Sequence, residues 1–424
     1  MRQRNTNTKT SGPVFWKIAG AGAAFQAGSS TVDTATIIAS LVHQLTGNVF
    51  AVGAASAIVR VGWLLPQIIV GFLAQRARRR MPFYIFGAFG RAIFLALIAA
   101  LLWFATDLPL AMTASAFFAL WTVYAFISGV VAVPYNDIVG RSIASQARSR
   151  MLAWRFFGGG ILALGVAAII HQLLAGWPVL TAYALIFALA SVLMFVSSVC
   201  FVSAGEPPTS SRGVESSGGF RDFLRAGWHT LRSDTRFRMF LYTQWLGGAA
   251  MMALPFYVVA ASGLGLKPQN VAILLGAQTV GSLASNAMWG RIGDSYGKLQ
   301  LLQAVGIVRL LPPVGALALF VLDLDAGVRV AAFAVLFGII GVLINGMTIG
   351  YLGYLMEISP DDRRPAYSAY FNSLASPAAL LPVAGAAFVQ IISIHAVFIA
   401  ALLAAVVQLM LLHRMAQMEA AGAD

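Results

Sequence analysis

Apolar runs of about 20 residues, long enough as helices to cross a bilayer core, recur roughly twelve times along this chain with short polar connections between them. Each run can satisfy its own backbone only as a helix, because hydrocarbon offers the amides no partner. The pattern predicts spans from Phe15–His43 and Phe50–Arg76 through Phe240–Ser262 to Val397–His413. Composition agrees: 59% of the 424 residues are hydrophobic and only 10% are charged, with a mean hydropathy of +0.81. Neither a soluble domain nor a β-barrel reads this way.

The net charge of +13 and a pI near 10.4 suit a nucleic-acid binder at first sight. Their distribution points to membrane topology instead. With the N-terminus inside, 22 of the 28 Lys and Arg fall in the tails, alternate connections and adjoining span ends, and only Lys267 and Arg329 face outside. That asymmetry predicts two cytoplasmic termini in the inner (plasma) membrane, with the lipid bilayer as partner and no nucleic acid. The first run is too long and too polar for a cleaved leader, so it is expected to remain as a span. The single cysteine, Cys200, excludes an intrachain disulfide and reads as a small buried hydrophobe.

The stretch "GEPPTSSRGVESSGG" has linker composition and divides the chain after six spans. It is followed by "FRDFLRAGWHTLR", in which Phe220, Phe223, Leu224, Trp228 and Leu231 recur at helical spacing between arginines. This segment suits a helix lying on an anionic leaflet, or a solvated linker packed on the bundle. The expected organisation is a tail (1–14), a six-helix bundle (15–203), a central loop (204–238), a second six-helix bundle (239–413) and a tail (414–424).

The halves repeat each other. "GFLAQRARRR", Gly71 to Arg80, and "GRIGDSYGK", Gly290 to Lys298, each end the second span of a half; aligned without a gap, Gly71 meets Gly290 and Gln75 meets Asp294. Arg91 follows Gly71 by 20 residues and Arg309 follows Gly290 by 19. The connections after spans 4 and 10 also share a plan, an acid at the helix end and then arginines: Asp137 with Arg148 and Arg150, and Glu357 with Arg363 and Arg364.

On these residues the chain resembles the major facilitator superfamily over essentially its full length. The family's turn, GxLADRxGRR or close to it, is matched at Gly71, Leu73, Ala74, Arg76, Arg79 and Arg80, and again at Gly290, Gly293, Asp294, Gly297 and Lys298. The resemblance implies an all-α membrane protein of twelve transmembrane helices in two pseudo-symmetric six-helix bundles, working as a secondary transporter by alternating access. It also implies a latch between the halves at the cytoplasmic turns, Gln75 with Arg76 and Asp294 with Lys298, and the repeated acid-then-base plan adds Asp137 with Arg141 and Glu357 with Arg363 as expected gating residues; the alternative is plain topology, with the arginines holding the loops inside. Gln75 stands where the family has Asp, so a charged latch would rest on Asp294. Span 5, "RFFGGGILALG", lacks the GP pair of the family's antiporter motif, and span 4 lacks the mid-helix arginine. Both departures weigh against a drug/proton antiporter.

Chemistry inside a bilayer belongs to ionisable groups, since burying charge there is costly unless it is paired or hydrated. Asp33 is the one deep carboxylate, and Arg60 lies on the next span at matched depth, each about 10 residues or ~15 Å from the outer side. The two are expected to meet, as a proton-coupling pair or as a static ion pair fixing spans 1 and 2. Gln26, Ser29, Ser30, Asp33 and Thr36 give span 1 one polar stripe facing a wet cavity. Arg91, Arg155 and Arg309 lie nearer the cytoplasmic ends and are read as snorkelling to that interface, with substrate contact as the alternative. Gln244, Trp245, Gln278, Asn286, Asn345 and Asn372 are candidate cavity lining in the second half, or interhelical glue. The tryptophans Trp63, Trp103, Trp121 and Trp177 read as interface belt or core.

Enzyme signatures are missing: the five histidines have no metal-ligand spacing, there is no phosphate-binding loop, and no cofactor is implied. The expectation is a monomeric transporter of a small organic solute driven by an ion gradient, with H+ as coupling ion through Asp33. The competing class is a non-transporting receptor or a pigment- or lipid-delivery assembly factor on the same fold.

Overall fold

The computed structural model describes residues 12–77, 79–105, 108–143, 145–208, 225, 228–229, 231–359 and 364–421, and among them there are helices and no strand. In the first half, α1 (Gly12–Ser30) and α2 (Ile37–Thr46) make the first span, α3 (Val49–Arg76) the second and α4 (Met81–Phe104) the third. The fourth is α5 (Leu110–Gly129) with α6 (Ala132–Ser142), the fifth α7 (Ser145–Gly176) and the sixth α8 (Val179–Val202). In the second half, α9 (Thr235–Ala250) and α10 (Phe256–Gly263) make the seventh span, α11 (Asn270–Ser295) the eighth, and α12 (Lys298–Val308) with α13 (Leu311–Val321) the ninth. The tenth is α14 (Ala326–Ile358), the eleventh α15 (Arg364–Ala375) with α16 (Leu381–Ile391), and the twelfth α17 (Ile394–Ala421). Eleven segments are long and apolar enough to cross a membrane, and the two-piece first span completes twelve.

The same pairings recur in both halves. Span 2 packs on span 4 as span 8 packs on span 10, and span 3 packs on span 6 as span 9 packs on span 12. Glycines permit the first of these. A Cβ on Gly129 would collide with the carbonyl of Gly62, and one on Gly341 with the carbonyl of Gln278. Small residues at a crossing let two backbones close up where no hydrophobic force from water drives them together.

The first span is not the continuous helix that its composition suggests. It breaks between Ser30 and Ile37 because side chains there take over backbone groups: Ser30 Oγ donates to the Ala27 carbonyl at 2.7 Å, and the Thr31 hydroxyl donates to Gly28. Asp33 Oδ1 accepts from the amides of Ala35 and Thr36, both at 3.0 Å, and from the Thr36 hydroxyl at 2.8 Å. Competition of this kind is why Ser, Thr and Asp favour helix ends over interiors. The seventh span, at the equivalent place in the second half, breaks likewise through a short 3-10 turn (Met251–Ala253) before Pro255. The polar stripe expected on span 1 is therefore interrupted: Gln26, Ser29 and Ser30 end α1, while Asp33 and Thr36 lie in the break.

Twelve successive crossings bring the start of α1 at Gly12 and the end of α17 at Ala421 to one face, called here the terminal face. α7 runs antiparallel to α11, with Gly160 on Leu283 and Gly276 facing Ala167 near the middle of both helices. The halves also meet where α3 packs on α16, with Gly53 under Pro382 and Ala386, and where α2 touches α10. These last contacts lie toward the face opposite the termini.

Candidate functional site

Two adjoining cavities of about 190 and 220 Å³ lie within the first half and share Phe25, Trp63 and Arg91 as walls. Arg91 sits ten residues into α4, about 15 Å along the helix. That is deeper than a guanidinium can reach back to water, and its residue is only 3% exposed. Its guanidinium lies 4.6 Å from the centre of the Phe25 ring. Arg155, from α7, comes in from the other side, 5.6 Å from the same ring and 5.3 Å from that of Tyr135, whose hydroxyl accepts from its Nη1 at 2.8 Å.

The route of Arg155 depends on Gly22 in α1. Any Cβ there would come within 2.5 Å of Arg155 Cγ and Cδ. The Nε atoms of Arg91 and Arg155 are both buried without a hydrogen-bond partner among the described residues. The snorkelling read from the sequence is thus corrected for Arg91, which turns inward, and for Arg309, which is 4% exposed and donates to Gln408. Gln408 in turn donates to the Thr243 carbonyl at 2.8 Å.

Asp33 lines the second cavity with Trp121, Tyr124 and Ser128. Its Oδ2 accepts from Gln278 Nε2 of α11 at 3.4 Å, a contact between the halves. Arg60 is half-buried, lines neither cavity and forms no ion pair with Asp33. The break in span 1 explains this separation: the Asp33 carboxylate is turned onto its own following turn rather than toward α3. Gln26 packs on Gly159 of α7, and Ser30 is spent on its own helix. Trp121 is core, stacked on Tyr124 at 4.9 Å with its Nε1 donating to Ala55 at 3.0 Å, whereas Trp63 faces both cavities.

In the second half, Gln278 is buried and Gln244 half-buried. Asn345 donates to Asn286 at 2.7 Å and to the Ser282 carbonyl at 3.0 Å, tying α14 to α11. Exposed Asn372 accepts from Tyr351, and Trp245 donates to the Leu374 carbonyl, both at 3.0 Å.

At the terminal face, the ion pairs formed among the described residues stay within one half. Asp137 accepts from Arg141 at 2.6 Å and faces Arg80 at 3.7 Å, and Asp294 pairs with Lys298 at 3.1 Å. Glu357 is exposed. Arg363 and the side chains of Gln75 and Arg76 lie outside the described residues.

One partner here gave no signal in the sequence. Glu206, just past span 6, accepts from Arg141 at 2.8 Å and from the amides of Arg80 and Met81 at 2.8 and 3.0 Å, closing the exposed N-terminus of α4. Burial pushes its carboxyl up, but the bonds from Arg141 and the two amides outweigh that and hold it below the usual carboxylate range. The signal for the Arg91–Arg155–Tyr135 cluster is the depth of its two arginines on spans 3 and 5, while the part of Tyr135 on span 4 has none in the sequence.

A sequence profile described as Major Facilitator Superfamily matches residues 18–381. Comparison with curated proteins gives no match. Solved structures share the architecture: a mutant of the nucleoside transporter NupG superposes with a TM-score of 0.72 at 12% identity, over 96% of this chain and 99% of that one. A bacterial homologue of the iron transporter ferroportin in its inward-facing state gives 0.67 at 12% identity, over 95% and 98%. The peptide transporter POT, as a mutant, gives 0.65 at 14%, over 95% and 94%. At such identities the likeness is one of fold.

Proposed function

This chain belongs to the major facilitator superfamily, and from that premise we propose that it is a secondary active transporter of a small organic solute, coupled to protons through Asp33. The observation that carries the coupling is the place of Asp33: at the break of the first span, on a cavity wall, and bonded to Gln278 of the opposite half. A discontinuous helix at membrane depth is tolerated where it lines a cavity, and transporters use such breaks for binding and coupling sites. Protonation removes the charge that Gln278 bonds to, so loading a proton weakens a tie between the halves.

In this reading the terminal face is the cytoplasmic face of the inner (plasma) membrane, as the Lys and Arg distribution supports. The structure is then the inward-facing state, supported by the seal of α3 on α16 and α2 on α10 at the opposite side. In the other state, Asp294, Asp137 and Glu357 exchange their present partners for Arg and Lys of the facing half, with Gln75, Arg76, Arg141, Lys298 and Arg363 around them. One chain carries both halves and the cavities, so the working unit is a monomer.

Proteoliposomes test this. An imposed pH gradient drives accumulation of the solute in the wild type, and dissipating the gradient abolishes it. Saturable binding with no flux under any gradient would contradict the proposal and favour the receptor or delivery-factor reading.

A further inference from the structure

We infer that the solute is an organic anion with a flat apolar body, its acidic group held between Arg91 and Arg155. This rests on the reading of the first-half cavity as the solute site. The cavity walled by Phe25, Trp63, Tyr84 and Tyr135 contains two guanidinium groups and no acid among its lining residues. The one deep carboxylate, Asp33, lies in the neighbouring cavity and forms no ion pair with either arginine.

Two like charges on one cavity wall at membrane depth, with no ion pair among the described residues, are costly, and each keeps an Nε without a hydrogen-bond partner there. The arrangement is held open by construction. The Phe25 and Tyr135 rings lie within cation–π distance of the guanidinium carbons, at 4.6 Å from Arg91 to Phe25 and 5.3 Å from Arg155 to Tyr135, and the missing side chain of Gly22 lets Arg155 lie across α1. A planar guanidinium offers paired donors in the geometry of a carboxylate, sulfonate or phosphate group, whereas an amine or a neutral amide would leave the charges uncompensated. The aromatic walls and the apolar faces of Ala21, Val131 and Ala132 suit a flat hydrocarbon body behind that acidic group.

Three probes of one shape separate the charge classes: benzenesulfonate, neutral benzenesulfonamide and cationic benzylamine. With purified protein in detergent, benzenesulfonate should raise the melting temperature and quench tryptophan fluorescence through Trp63, while the other two leave both unchanged. Arg91→Gln and Arg155→Gln should each weaken sulfonate binding by roughly 10–100-fold. Gly22→Ala, which displaces the Arg155 stem without removing charge, should weaken it as well. An equal response to the neutral or cationic probe, no response to the sulfonate in folded wild type, or unchanged affinity in folded Arg91→Gln and Arg155→Gln would overturn the inference. Should either arginine variant fail to fold, the three-probe series on wild type and on Gly22→Ala decides. Binding in detergent needs no gradient, so the two readings fail separately. Arginine-dependent sulfonate binding with no flux sinks transport and keeps the anion site, and flux of solutes regardless of charge does the reverse.

Discussion

Gln278 of α11 reaches across the boundary between the halves to hydrogen-bond Asp33 at the break of the first span. The bond is long at 3.4 Å, and the other amide atom of Gln278, Oε1, is buried with no partner among the described residues. A contact of that kind is easily given up, as an element that must separate in each cycle requires. Gln278→Leu should leave the fold intact but favour separation of the halves at the face opposite the termini. Spin labels on the outer ends of α2 and α10 should then report a larger share of long distances than in wild type; an unchanged distribution would show that the bond has no part in the seal.

Gly53 makes the same seal at another point. A Cβ there would meet the Pro382 carbonyl at 2.5 Å and the Ala386 Cβ at 2.9 Å, so Gly53→Val wedges α3 from α16. The expected outcome is a shift toward the state open at that face, read as faster labelling of a cysteine placed on Val52 in a Cys200→Ala background. Labelling no faster than in the Gly53 parent would mean that α16 yields without opening.

Much of this was legible in the sequence, and the reasons for the rest are physical. Span number, two repeated halves and the family followed from run length and from the Gly71 and Gly290 turns, because hydrocarbon imposes its length requirement on each run separately. Asp33 stood out as a deep acid. The break around it did not, since Ser30, Thr31 and Thr36 look the same on a polar stripe as in a turn that has captured backbone groups. Pairing Asp33 with Arg60 by depth failed for that reason: depth fixes height in the membrane but not direction around the helix. Arg91 and Arg309 stay inside the bundle although an apolar neighbourhood suggests escape to water, because the Phe25 ring gives one guanidinium an aromatic face and Gln408 gives the other an acceptor. Glu206 was hidden in linker composition.

Glu206 gives a pH prediction. Its folded carboxyl titrates below the ordinary value of 4.5, so the clasp on Arg141 and the start of α4 contributes fully above that value and is lost as pH falls through the lower, folded one. Melting temperature should therefore decline on that acid limb. Glu206→Gln should cost about 1–3 kcal/mol at neutral pH and flatten the limb. An acid limb identical in Glu206→Gln and wild type would assign it to other carboxyls.

In the second half, the partner of Arg309 among the described residues is neutral, with Gln408 bridging it to the Thr243 carbonyl. Gln408→Leu strands the buried guanidinium and should cost about 3–5 kcal/mol, lowering the melting temperature or the yield of folded protein. Adding Arg309→Met should restore most of that loss, because an apolar pair of similar volume needs no partners. A double variant no more stable than Gln408→Leu would show that Arg309 is held by contacts other than this chain of bonds.

The central claim is that Asp33 carries the coupling proton, and paired flux measurements on Asp33→Asn in proteoliposomes test it most directly. Exchange of labelled for unlabelled solute needs no net proton movement, whereas accumulation against a gradient does. The account predicts a folded Asp33→Asn protein in which pH-gradient-driven accumulation is abolished while exchange continues at a rate near that of wild type. Accumulation equal to wild type in a well-folded Asp33→Asn protein would contradict it.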